Sequence, residues 1–116
     1  MRSRLDEVAY SEELAERIRA VIDVRPVVAE RKMFGGIAWM VNGNMACGII
    51  GDDLMVRLER DDAEAAQAQE HVGPMDFTGR PMRGFILVEA AGIESDTALG
   101  RWVDAGADFA ESLPPK

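Results

Sequence analysis

Apolar and polar positions alternate along the chain with periods that change at clear breaks. In Ser11–Val24, Leu14, Ile18, Val21 and Ile22 recur at helical spacing and form one stripe. Ser11 is placed to cap that helix, because its hydroxyl can accept a free first-turn N–H. Glu12 and Glu13 sit where the helix dipole favours negative charge. Pro26 disfavours helical geometry in the residue before it, so the helix ends near Val24. Val27–Phe34, Ile37–Val41, Met45–Ile50 and Leu54–Glu59 then read as four strands. Gly35-Gly36, the hairpin pair Asn42-Gly43 and Gly51-Asp52-Asp53 separate them. In the last of these strands Leu54, Val56 and Leu58 alternate with Met55, Arg57 and Glu59, which predicts one wetter face.

Asp62–Gln69 reads as a short helix with an acidic start. An irregular stretch follows, bracketed by Gly73-Pro74 and Gly79-Arg80-Pro81. Arg83–Glu89 is the fifth expected strand. Ser95 or Asp96 caps a last helix, Thr97–Ser112, whose stripe holds Leu99, Trp102, Val103, Gly106, Phe109 or Ala110, and Leu113. Pro114-Pro115 stops it. The expected order is α-β-β-β-β-α-β-α. Short connections favour an antiparallel sheet, and the apolar-faced helices favour packing mainly on one side of it. The expectation is one α+β domain over residues 1–116, two layers deep, with about five strands.

Composition narrows the chemistry. The chain has 116 residues, one Cys and one His. It therefore forms no internal disulfide, and a zinc site of several His and Cys ligands is excluded. A reducing cytoplasm is the expected compartment, since no signal peptide or membrane span is visible. The net charge is −8, which argues against broad binding to nucleic acid phosphates. The charge is uneven: residues 1–40 are neutral, and residues 41–116 carry the whole excess. A local basic patch at Arg25, Arg31 and Lys32 is thus expected on an acidic body.

The catalytic inventory is sparse. His71 falls in an expected loop without an evident partner, and Cys47 sits mid-strand as a small hydrophobe. No phosphate-binding loop or EF-hand pattern occurs, and the paired aspartates look like turn and cap residues. No catalytic residue, metal site or cofactor is expected. Seven methionines, several of them in strands, suit either irregular core packing or a protein-binding face.

Arg31-Lys32-Met33-Phe34-Gly35-Gly36-Ile37-Ala38 resembles the signature that opens the TfoX/Sxy N-terminal domain. The similarity continues through Asn42-Gly43-Asn44-Met45, Leu54-Met55-Val56-Arg57, Gly79–Phe85, Trp102-Val103 and Leu113-Pro114. It implies an antiparallel α/β fold and a stand-alone version of that domain. Two-domain members are regulators of natural competence that act with a cyclic-AMP receptor protein, and the signature brings no catalytic residue or cofactor. Gly35, Gly36 and Gly84 are expected to serve turns or close backbone approach. Arg31, Lys32, Phe34, Trp39 and Arg57 are the expected interaction surface. The expected role is a non-enzymatic, protein-binding regulator module that touches neither DNA nor membrane directly. A small ligand-binding protein or enzyme using a pocket near Cys47 or His71 is the alternative, and a structural homodimer is a third.

Overall fold

The computed structural model describes residues 10–33, 35–77 and 79–116, with the side chains of Phe77, Arg80 and Pro81 left aside. Helix α1 (Glu12–Ile22) leads into strands β1 (Val28–Met33), β2 (Gly36–Val41), β3 (Asn44–Ile50) and β4 (Asp53–Arg57). Helix α2 (Arg60–Ala66), strands β5 (Val72–Phe77) and β6 (Arg80–Val88), a 3-10 turn at Ala90–Ile93, and helix α3 (Asp96–Ser112) complete the chain. The six strands form one antiparallel sheet in the order β1-β2-β3-β4-β6-β5.

The α+β class holds, with six strands and not five. The additional one, β5, occupies the stretch expected to be irregular. Its Gly73 and Pro74 are tolerated because β5 is an edge strand, pairing only with β6, and its register slips between Pro74 and Asp76. The caps follow local chemistry. Ser11 Oγ accepts from Leu14 N at 3.1 Å, and Ser95 Oγ accepts from Ala98 N at 3.0 Å. Asn42 and Gly43 turn the β2–β3 hairpin with φ of 54° and 82°, the pair of positive values a tight hairpin needs.

Opposed residues share a sheet face, so the register sorts the side chains. One face presents Ile37, Trp39 and Val41 from β2, Ile49 from β3, Leu54 and Val56 from β4, and Ile86 and Val88 from β6. All are buried, and with Leu14, Ile18, Ile22, Leu99 and Val103 from the helices they form the core. Each such side chain contributes about 1.5–3 kcal/mol on burial. Helix α3 lies against this face so closely that a Cβ at Gly106 would collide with the Ala46 carbonyl oxygen and reach Val56 Cγ1 at 3.2 Å. Helix α1 joins the same face, and its Arg19 pairs with Glu30 of β1. Asn44, buried, donates its amide to the carbonyls of Ala110 at 3.3 Å and Pro114 at 3.0 Å, which fastens the hairpin to the end of α3.

Candidate functional site

The opposite sheet face has a different composition. Its middle row runs Arg31, Ala38, Gly48, Met55, Leu87, Gly73 across all six strands. Met33 and Ile50 flank that row on one side, and Met40 and Met45 on the other. Every methionine of β1 to β4 therefore lies on this face, while the helix-covered face is built from Ile, Val, Leu and Trp. Met33, Met40, Met45, Ile50 and Leu87 are each partly exposed. Ala38 and Met55 form a buried floor that stands outside the main core, and a Cβ at Gly48 would lie 2.9 Å from Met55 Cε. Unbranched thioether chains give the face an adaptable apolar surface.

Arg17, Arg19 and Arg25 are spent within the molecule. Arg17 reaches Asp96 and the Ile93 carbonyl, Arg19 grips Glu30, and Arg25 bonds Asp104, Asp108 and Glu111 of α3. The Glu30 carboxyl is held below its ordinary value by the Arg19 guanidinium, against which burial acts, with a smaller lowering from the Trp39 indole. The Trp39 N–H nevertheless reaches no acceptor within hydrogen-bond geometry, and it is fully buried. Burial lowers the pKa of Arg25, and the Asp108 and Asp104 carboxylates outweigh that effect and raise it.

Arg31, Lys32 and Arg57 make no ion pair among the described residues, and neither do Arg60, Arg83, Arg101 and Lys116. Arg31 and Lys32 are exposed on edge strand β1 and alternate between faces, Arg31 opposite Ala38 and Lys32 opposite Ile37. Arg57 ends β4 on the methionine side of the register, opposite Phe85. Its guanidinium carbon lies 5.8 Å from the centre of the Phe85 ring and 5.5 Å from that of Phe109, within cation–π range.

The expected surface set is thus partly regrouped. By register Arg31 and Arg57 fall on one face and Lys32 on the other, but the Arg57 guanidinium reaches to Phe109 of α3. Arg25 leaves the expected basic patch for the carboxylates of α3. Trp39 is corrected from surface to core: it has no exposed area and packs on the helix side of β2. Phe34 lies outside the described residues. Gly35 and Gly84 take φ of 74° and 82°, and Gly36 admits no Cβ because the Ile49 carbonyl occupies that space. The sequence reading leaves the methionines between irregular core packing and a protein-binding face and does not say which of them share a face. The available signal was the alternation of Met with Val and Ile between residues 37 and 56.

Cys47 is fully buried opposite Trp39, and burial pushes its thiol up to about 12, far from the reactive thiolate range. His71 adopts φ of 69°, places Nδ1 3.5 Å from Glu89 Oε1, and borders an open groove of about 430 Å³ with Ser95, Arg101 and Trp102. Among the described residues no three His, Cys, Asp or Glu side chains gather as a metal site, and no helix is long and apolar enough to cross a membrane.

No curated protein matches the chain. The family model of the TfoX N-terminal domain matches residues 22–110. That span includes all six strands, the methionine face with Arg31 and Arg57, and α3 as far as Ala110. With most of its length so matched, the chain belongs to the TfoX N-terminal domain family.

Proposed function

We propose that this competence-regulator-like domain acts in the cytoplasm by binding a protein partner, and that it influences transcription through that partner without chemistry of its own. The observation that supports this reading is the methionine-lined sheet face, with Arg31 exposed at its β1 edge. Adaptable apolar side chains beside Arg31, a cation with no ion pair among the described residues, suit a recognition surface better than a folding role. The buried, proton-retaining Cys47 argues against the alternative that uses it. The His71 groove keeps that alternative only in its ligand-binding form, through Arg101 and Trp102.

The test compares baits in partner capture from the source cell. Wild type should retain a partner that Met45→Lys with Arg57→Glu loses, at nearly unchanged melting temperature. Arg31→Glu with Lys32→Glu should weaken retention through Arg31. Undiminished retention by the Met45→Lys, Arg57→Glu bait would remove the protein-binding reading from this face.

A further inference from the structure

Residues 41–116 carry the acidic excess, yet four of their six basic residues, Arg57, Arg60, Arg80 and Arg83, fall between positions 57 and 83. The fold brings Arg57, Arg60 and Arg83 together where α2 meets β6. There β6 bulges: Met82, Arg83, Gly84 and Phe85 stand opposite Met75 alone, between the pairs Pro81 with Asp76 and Ile86 with Pro74. Gly84 turns the bulge with φ of 82°, which glycine adopts without strain. Its carbonyl accepts from Leu58 N at 2.8 Å, and Arg60 Cγ lies 3.9 Å from the place its Cβ would take. Bulges re-aim side chains and recur beside binding sites. This one borders a cleft of about 380 Å³ against α2, more enclosed than the His71 groove. Pro74, Met82 and Phe85 give the cleft apolar walls, and Arg60, Glu64, Gln67 and Arg83 supply its polar side chains.

Charge selects the occupant. Arg60 opens α2 and Arg83 sits on the bulge, and neither makes an ion pair among the described residues. Glu64 follows Arg60 by four positions, the weaker order for a helix pair, and it pairs with neither arginine. Arg57 adds a third cation, 5.8 Å from the centre of the Phe85 ring. Three arginines thus surround one carboxylate, and the cleft favours an anion. A phosphate monoester brings nearly two negative charges and three acceptor oxygens, enough for two guanidinium forks. A carboxylate has one charge and two oxygens, which one fork saturates.

We propose that the cleft between α2 and the β6 bulge binds a small organic phosphate. Arg60 and Arg83 hold the phosphate, Gln67 offers an amide donor, and Pro74, Met82 and Phe85 take the apolar body. The volume lies within the range of small-molecule sites, about 300–1,000 Å³, and the mixture of apolar wall and few polar groups is theirs as well. The assignment is independent of the partner-binding reading above, since it uses no methionine of β1 to β4.

The experiment titrates the full nitrogen-15-labelled chain with phenyl phosphate and follows its amide signals. Those of Ala63, Glu64, Gln67 and Met82–Phe85 should move together and saturate, while those of Arg31 and Arg101 stay in place. Arg60→Gln and Arg83→Gln should each weaken binding about tenfold, and Arg101→Gln should leave it unchanged. Glu64→Gln should tighten it, a gain that misfolding cannot produce. Inorganic phosphate lacks the apolar body and benzoate the second charge, so each should bind about tenfold more weakly. Signals of the cleft that stay in place, or binding that ignores Arg60, Arg83 and Glu64 alike, would overturn the assignment. Benzoate binding as tightly as phenyl phosphate would overturn the phosphate, and inorganic phosphate binding as tightly would overturn the organic body. Met45→Lys should bind phenyl phosphate as the wild type does, so loss of the cleft and loss of the partner face are read separately.

Discussion

Two glycines on one helix have opposite reasons to be there. At Gly106 the backbone of α3 touches β3, and an added Cβ would strike the Ala46 carbonyl. At Gly100 the same added atom meets nothing within 4 Å. In a helix interior Ala is favoured over Gly by about 0.5–1 kcal/mol. Gly100→Ala should therefore raise the unfolding free energy by about that amount. Gly106→Ala should lower it by about 1–3 kcal/mol, because α3 must lift off the sheet. Urea unfolding reads both, and effects of the same sign would show that the helix does not bear on β3 as described. The sequence marks Gly106 as part of the α3 stripe but carries no sign of the close approach, which depends on a carbonyl 60 residues away. Trp39 was illegible for a related reason. In Ile37–Val41 both sheet faces are apolar, so alternation cannot tell which one the helices cover.

Among the elements, β1 is the informative strand. Glu30, Arg31 and Lys32 place charges along the open edge of the sheet, which discourages pairing with another chain. Glu30 also turns toward α1, where Arg19 Nε donates to its carboxylate at 2.6 Å. The folded-state pKa of Glu30 is lowered from 4.5, so the ionised form favours folding. The contribution is complete above pH 4.5 and is lost as pH falls below it through the folded value. Both side chains are about one-third exposed, which limits the pair to about 0.2–1 kcal/mol. A double-mutant cycle with Arg19→Ala and Glu30→Gln should show that coupling at pH 7 and a weaker one as pH falls below 4.5. Equal coupling throughout would mean that charge is not its source. Strand β5 was missed because Gly73 and Pro74 are ordinarily strand breakers, and only its edge position excuses them. The helices were legible because their caps and stripes are local.

For the molecule as a whole, charge placement matters more than the total. Arg17, Arg19 and Arg25 are used to hold helices, Arg57 lies against Phe85 and Phe109, and Arg31 and Lys32 stand exposed on the β1 edge. Two such cations do not track a phosphate backbone against a net charge of −8. The isolated chain should not retard a DNA duplex even in low salt. Retardation that weakens steeply with added salt would show direct binding and replace the indirect reading of its role. The bond from Asn44 to the carbonyls of Ala110 and Pro114 carries a further consequence, for the order in which the chain folds. It joins positions 66 and 70 residues apart, and α3 is the layer that covers β3 and β4. Long-range closure of this kind is slow. During synthesis the sheet has to wait, with Trp39, Val41 and Val56 still wet, until the last helix leaves the ribosome and closes over it.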